Sequence, residues 1–174
     1  MKIKKTIMIK IAIALGVLVT ATLLMKKTGM SYRQSILKTM YPVIMWTSKA
    51  AGKKQTLINK DNANPVVSFY SLKMKDINGN EFSFDSLRGK KVLIVNTASD
   101  CGFTGQYEAL EQLSQQFKSE LVVIGFPSND FKEQEKNDNQ NIASFCKKNY
   151  GVTFLLMEKS IVIKKNHQNE VHKW

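Results

Sequence analysis

The stretch KVLIVNTASDCGFTGQYEALEQLSQQFKSELVVIGF, residues 91–126, decides the fold. It contains two apolar runs, 92–95 and 121–126, and such runs are typical of strands that are buried on both faces. Residues 106–118 lie between them and carry apolar side chains at helical spacing, namely Leu110, Leu113 and Phe117. A strand, a helix and a strand within about 35 residues predict a right-handed parallel βαβ unit, and therefore an α/β fold.

Shorter elements flank this unit on both sides. Residues 67–72 and 81–84 have strand composition, and an Asn-Gly turn between them predicts a β-hairpin. After the unit, residues 140–148 predict a second helix and residues 160–164 predict a last short strand. We therefore expect one globular domain that starts near residue 66 and occupies residues 66–174.

The charge of the chain is distributed unevenly. Its 174 residues include 26 Lys+Arg and 14 Asp+Glu, which gives a formal net charge of +12. Residues 1–60 contain no acidic residue, whereas residues 61–174 contain equal numbers of basic and acidic residues. A domain that is neutral overall argues against a broad nucleic-acid-binding face. The two cysteines are too few for a disulfide-stapled scaffold.

An apolar segment, residues 6–25, lies near the N-terminus and contains one charge, Lys10. About 20 residues is the length that crosses a bilayer as a helix. Lysines before the segment favour a cytoplasmic N-terminus and a periplasmic domain, although two lysines after it weaken this orientation. We expect residues 1–27 to form an N-terminal transmembrane anchor, with a cleaved signal peptide or a buried core helix as the alternatives.

Residues 28–65 join this segment to the domain. Residues 31–50 mix apolar and aromatic side chains with cations, and Pro42 predicts a break in any long helix. This part either lies in the membrane interface or forms a linker helix that packs on the domain. Residues 51–66 have loop composition and are predicted to form the linker.

The loop after the first buried strand contains Cys101. Ligand sites of parallel α/β sheets lie beyond the carboxyl ends of the strands, and a helix N-terminus lowers the pKa of a nearby thiol. Gly102 and Gly105 permit close approach of a substrate. Thr104 occupies the place of the second cysteine of a dithiol motif. We therefore predict that Cys101 attacks a peroxide bond as a lone nucleophile, with inert packing as the alternative.

Two further side chains are candidates for the same site. Gln134 follows the second buried strand, which ends at the same sheet edge, so its amide can donate a hydrogen bond to the thiolate or the peroxide. Cys146 can close a disulfide on oxidised Cys101, or it can simply pack with Ile142 on an apolar helix face. The two histidines lack partners at metal-ligand spacing, so we expect no metal and no cofactor.

Three stretches resemble the glutathione peroxidase family. VNTASDCGFTGQY, residues 95–107, is similar to its peroxidatic-cysteine motif, and GFPSNDFKEQE, residues 125–135, is similar to its second signature. FCKKNYGVTF, residues 145–154, is similar to the helix and turn that follow. The resemblance extends over residues 66–174.

This resemblance implies a fold, a reaction and roles for three residues. The fold is thioredoxin-like, and the reaction is reduction of hydrogen peroxide or of organic and lipid hydroperoxides. Cys101 is then the peroxidatic cysteine, Gln134 the catalytic glutamine, and Cys146 the resolving cysteine of a thioredoxin-dependent member. The reductant is a thioredoxin-like protein or, less in keeping with a resolving cysteine, glutathione.

The chain also departs from the family pattern. Gly105 and Leu155 stand where the family commonly has proline. The Trp-Asn-Phe motif that completes the catalytic tetrad is missing, and Trp174 resembles an earlier tryptophan. We therefore expect a C-terminally truncated domain of doubtful activity. A non-catalytic membrane-attached remnant and a tethered thiol-disulfide exchanger are the competing hypotheses, and Thr104 argues against the second.

Overall fold

The computed structural model describes residues 2–26, 29–51 and 65–174, so most of the predicted linker at 51–66 lies outside the described residues. The helices are α1 Lys2–Lys26, α2 Tyr32–Ala51, α3 Gln106–Gln116, α4 Asn139–Tyr150 and α5 Glu170–Lys173. The strands are β1 Lys73–Lys75, β2 Glu81–Ser83, β3 Lys91–Thr97, β4 Leu121–Pro127 and β5 Leu155–Leu156.

The central sheet is parallel and has the strand order β3-β4-β5. β3 pairs with β4 from Lys91 opposite Leu121 to Thr97 opposite Pro127, and α3 connects the two strands. This confirms the predicted βαβ unit and the mixed α/β fold, in agreement with the thioredoxin-like fold that the resemblance implies. Both strands end at one sheet edge, which brings the loops that follow them together.

The side chains of β3 and β4 alternate between two apolar clusters, as expected for a pleated sheet. Leu93, Val95 and Val123 pack on the side of α3 and α4. Ile94 and Ile124 pack on the opposite side, which also holds Phe84 and Met157. β4 is central and largely buried, whereas β3 is only half-buried at the sheet edge. The first strand is therefore covered on both faces, as predicted, but it is less buried than expected.

The predicted hairpin is present, but its first strand is shifted. β1 pairs antiparallel with β2, and the Asn-Gly turn joins them. The predicted strand at 67–72 is wrong, because Phe69–Ser71 forms a 3₁₀ turn. The Ser68 hydroxyl accepts from the Tyr70 N–H at 3.3 Å and the Ser71 hydroxyl donates to the Ser68 carbonyl at 2.7 Å. These local bonds compete with a strand ladder for the backbone.

The predicted last strand at 160–164 is also wrong. The backbone N–H groups of Val162 and Ile163 donate to the Asp130 carboxylate at 2.7 and 3.3 Å. Because one side chain uses these donors, they do not form a strand ladder. The third strand of the sheet is instead β5, which pairs in parallel with the middle of β4.

The N-terminal segment differs from the sequence prediction. Residues 2–26 form α1, as an apolar run allows. Across residues 2–26, 29–51 and 65–174, however, no helix has the length and apolar character needed to cross a membrane. The predicted N-terminal transmembrane helix is therefore not borne out.

The helix α2 packs against the domain, which agrees with the linker-helix alternative for residues 31–50. Ser31 and Gln34 begin it with a capping box, in which each side chain binds the backbone N–H of the other at 3.2 and 2.8 Å. Ser35 is fully buried, and Met30 joins the cluster beneath α4. The helix continues through Pro42, so the predicted break there is wrong. Tertiary packing offsets a proline penalty of about 3 kcal/mol.

Candidate active site

Cys101 lies in the loop that follows β3, at the carboxyl edge of the sheet. Its side chain is a half-buried free thiol, and its Sγ atom accepts a hydrogen bond from the Phe103 N–H at 3.5 Å. Tight turns fix the backbone on both sides, from the Cys101 N–H to the Ala98 carbonyl and from the Thr104 N–H to the Cys101 carbonyl, each at 3.3 Å. The thiol is therefore both accessible and held in place.

Gln134 lies beside Cys101, as the sheet topology predicts. Both residues line one open cavity of about 450 Å³ at the sheet edge. The preceding residues, Lys132 and Glu133, adopt left-handed backbone angles with φ of 54° and 52°, which turns the chain back toward the Cys101 loop. The Gln134 carbonyl then accepts the Asp100 N–H at 2.9 Å. The structure thus brings together two of the three predicted site residues.

Cys146 has very different surroundings. It is on α4 with 2% of its surface exposed, and it belongs to the apolar cluster that contains Tyr107 and Tyr150. Burial, together with the nearby negative charge of Glu135, raises the pKa of the Cys146 thiol to about 12. Cys146 does not line the cavity of Cys101, and both thiols are free. The disulfide predicted from the sequence forms only on oxidised Cys101, so it stays a prediction.

Sequence reasoning missed Glu135, the neighbour of Gln134. Its Oε2 atom accepts hydrogen bonds from the Ser99 N–H at 2.7 Å and the Ser99 hydroxyl at 2.8 Å. Only 1% of its surface is exposed, and burial raises the pKa of its carboxyl group. A glutamate in a polar loop gives no sign of such burial. The only available signal was its position inside the second family-like stretch.

Two tyrosines hold the Cys101 loop against the helices. The Tyr107 hydroxyl accepts from the Ala98 N–H at 2.8 Å and donates to the Ala98 carbonyl at 3.1 Å. The Tyr150 hydroxyl donates to the Thr104 hydroxyl at 2.9 Å. Burial raises the pKa of Tyr107 well above its usual value and that of Tyr150 to about 12, so both remain protonated donors at neutral pH. The loop is fixed at its start and near its end.

The helix α2 covers one side of the same loop. A Cβ atom on Gly105 would lie 2.4 Å from the Tyr41 ring, so any larger residue would force this ring to move. Leu37 and Ile44 lie 3.7 and 3.8 Å from the corresponding point on Gly102. Gly105, where the family-like motif commonly has proline, is therefore the position against which the Tyr41 ring of α2 packs.

The ammonium group of Lys38 adds a polar attachment between α2 and the domain. It lies 3.3 Å from the Glu108 carboxylate and 4.4 Å from the centre of the Tyr150 ring, and it donates to the Asn149 carbonyl.

Among the described residues, no group of three or more His, Cys, Asp or Glu could hold a metal ion. Trp174 does not line the cavity of Cys101, and its indole N–H binds the Val67 carbonyl at 2.8 Å.

The chain is similar in sequence to several peroxiredoxins and peroxidases. The chain is 53% identical over 92 residues to the glutathione peroxidase-like peroxiredoxin gpx1 of Schizosaccharomyces pombe, which covers 52% of this chain and 58% of that protein. It is 51% identical over 113 residues to the glutathione peroxidase-like peroxiredoxin GPX5 of Chlamydomonas reinhardtii, covering 64% and 68%. The glutathione peroxidase of Lactococcus lactis is 44% identical over 94 residues, covering 53% and 60%.

Among solved structures, the apo form of Trgpx has 35% sequence identity and a TM-score of 0.47, covering 63% of this chain and 64% of that one. The chain spans less than two thirds of the length of several relatives it matches, including the 58% for the fission yeast protein. The family model described as glutathione peroxidase matches residues 69–174, which include Cys101, Gln134 and Cys146. The chain belongs to the glutathione peroxidase family.

Proposed function

We propose that this chain carries the site of a thiol peroxidase that reduces hydrogen peroxide or organic hydroperoxides. The observation that carries the proposal is the placement of Cys101 and Gln134 in one open cavity at the carboxyl edge of the sheet. The Cys101 thiolate attacks one peroxide oxygen, so that an S–O bond forms as the O–O bond breaks. The sulfur is oxidised to a sulfenic acid, and the peroxide leaves as water or an alcohol after taking up a proton.

Gln134 serves this step through its side-chain amide. An amide N–H donates a hydrogen bond to the oxygen on which negative charge develops as the O–O bond breaks. The hydrogen bond from Asp100 to the Gln134 carbonyl holds the backbone of this residue beside the Cys101 loop. The Gln134 side chain, which lines the same cavity as Cys101, can therefore supply this donor.

Cys146 completes the cycle as the resolving cysteine. Its thiol attacks the sulfur of the Cys101 sulfenic acid, which forms a disulfide and releases water. Because Cys146 is buried on α4, local opening of this helix must come before the attack. A thioredoxin-like protein then reduces the disulfide, and the peroxiredoxin names of the fungal and algal relatives support such a thiol-based cycle. Glutathione is the alternative reductant.

Two expectations from the sequence stay predictions, namely the start of the domain near residue 66 and an extracytoplasmic location. Fractionation of the source cells tests the second. The hypothesis of a non-catalytic remnant is tested by the reaction with peroxide itself.

The experiment is a rate measurement on the reduced full chain. Hydrogen peroxide and cumene hydroperoxide are each mixed with the protein, and loss of the Cys101 thiol is followed by peptide mapping with a sulfenic-acid trap. We expect Cys101 to react far faster than free cysteine and Gln134→Ala to lose most of this advantage. Gln112→Ala, which removes an exposed amide on α3, is the matched control. A wild-type rate equal to that of free cysteine would refute the function.

A further inference from the structure

The buried carboxylate of Glu135 links the two loops that carry Cys101 and Gln134. Beyond the last pair of the β3–β4 ladder, the Ser128 N–H still binds the Thr97 carbonyl at 3.0 Å. Further along, the two bonds from Ser99 reach Glu135 Oε2 at 2.7 and 2.8 Å. These bonds continue the sheet contacts as far as the residues next to Cys101.

The other end of this link is fixed as well. The Glu135 N–H donates to the Asn129 side-chain oxygen at 2.9 Å, which closes the turn that follows β4. The Asp100 N–H binds the Gln134 carbonyl at 2.9 Å on the adjacent rung. The segment 134–135 is therefore held against the segment 99–100 by both backbone and side-chain bonds, and Cys101 is the next residue.

The energetics of Glu135 show that this link is costly. Its Oε1 atom is buried and has no well-aligned hydrogen-bond partner among the described residues. The Asn137 N–H and the charge of Lys159 favour the ionised form, but burial outweighs them. A buried carboxyl group with one unsatisfied oxygen reduces the free energy of unfolding. An apolar side chain would fill the same space without this cost, so packing alone does not explain a carboxylate here.

We propose that Glu135 is a positioning residue, which fixes the Cys101 thiol relative to the Gln134 amide through its two bonds to Ser99. This inference rests on the proposed thiol peroxidase function. Peroxide reduction needs the thiol and the amide donor at a set separation, because both act on one O–O bond. Alkylation of the same thiol by iodoacetamide needs only the thiol, so the two reactions separate positioning from simple access.

The test compares these two rates at Cys101 in the full chain, with each product assigned by peptide mapping. For Glu135→Ala we expect the peroxide rate to fall about tenfold or more, as for loss of a hydrogen bond to a charged group, while the alkylation rate changes less than about threefold. For Glu135→Gln we expect recovery to within about threefold of wild type, because the amide oxygen accepts both Ser99 bonds. Glu120→Ala removes an exposed carboxylate and is the control.

Each outcome decides the matter. An unchanged peroxide rate in Glu135→Ala overturns the inference, and so does a parallel change of both rates, which indicates general loosening of the loop. A Glu135→Gln protein as slow as Glu135→Ala also overturns it. If Glu135→Ala does not fold, Ser99→Ala carries the same comparison and must lower the peroxide rate selectively. A wild-type rate equal to that of free cysteine refutes the proposed function first and the inference with it.

Discussion

The two cysteines of this chain occupy opposite environments. Cys101 is half-buried in a loop at the sheet edge and opens onto a cavity. Cys146 is 2% exposed inside the cluster beneath α4, where burial raises its pKa to about 12. The same functional group is therefore ready to react in one place and suppressed in the other.

This difference separates the two steps of the proposed cycle. A thiol that must meet a small diffusing peroxide needs access before anything else. A thiol that must act only after oxidation is protected by burial, because the protonated form is a weak nucleophile. Packing of α4, rather than a separate regulatory part, then determines when Cys146 becomes available.

Serine substitutions give the largest expected effect. Cys101→Ser is expected to abolish peroxide-dependent thiol oxidation, because the attacking sulfur is lost. Cys146→Ser is expected to keep the first step but stop at a trapped sulfenic acid, because no second thiol is available for the disulfide. Mass spectrometry with a sulfenic-acid trap measures both. Oxidation of Cys146 in the Cys101→Ser protein at the wild-type rate would contradict the contrast between a reactive Cys101 and a protected Cys146.

Alkylation measures the contrast between the thiols directly. At pH 8, a pKa of about 12 in place of the usual 9.0 leaves Cys146 with about 1000-fold less thiolate than an unperturbed cysteine. Iodoacetamide is therefore expected to modify Cys101 and to leave Cys146 untouched until urea unfolds the domain. Peptide mapping of a time course provides the measurement, and equal rates in the folded protein would contradict the prediction.

Removal of the Tyr107 hydroxyl tests the link between the Cys101 loop and the apolar cluster that contains Cys146. Tyr107 bonds to Ala98 at the start of the Cys101 loop, and its ring lies in the cluster of Cys146. Tyr107→Phe leaves a buried N–H without its acceptor and is expected to reduce the free energy of unfolding by about 2 kcal/mol. Urea titration checks this value, and an unchanged midpoint would show that the bonds contribute nothing.

A smaller effect is expected on the side of the loop that α2 covers. Gly105→Ala places a methyl group against the Tyr41 ring, which is half-buried and can shift, so we expect a loss of about 1 kcal/mol. The Cys101 alkylation rate should rise while Cys146 stays protected. Tyr41→Ala in the same chain should remove the penalty. Additive losses in the double variant would show that the two residues do not interact.

The elements that the sequence predicted correctly are those with a strong local pattern. The apolar runs and the helical spacing within residues 91–126 determine β3, α3 and β4, and the strand ends place Cys101 near Gln134. The wrong strands at 67–72 and 160–164 have strand composition, but side chains bind their backbone groups. Composition does not reveal such bonds.

The candidate site was predictable only where a strong local sequence pattern determines the position of a residue. Residues that directly follow a predicted strand, such as Cys101, have positions that topology determines. The burial of Cys146 and Glu135 depends on how α4 and two loops pack, which involves residues far apart in sequence. The Tyr41–Gly105 contact joins residues from separate parts of the chain, and no periodic pattern indicates it.

That contact also has a consequence for how this protein can diverge. Because the Tyr41 ring fills the space above Gly105, the two positions form one inherited unit rather than two independent ones. A larger residue at position 105 forces the Tyr41 ring to move and lowers stability, whereas loss of that ring removes the constraint. Among homologues, we therefore expect glycine at this position wherever the helix and its tyrosine are both present.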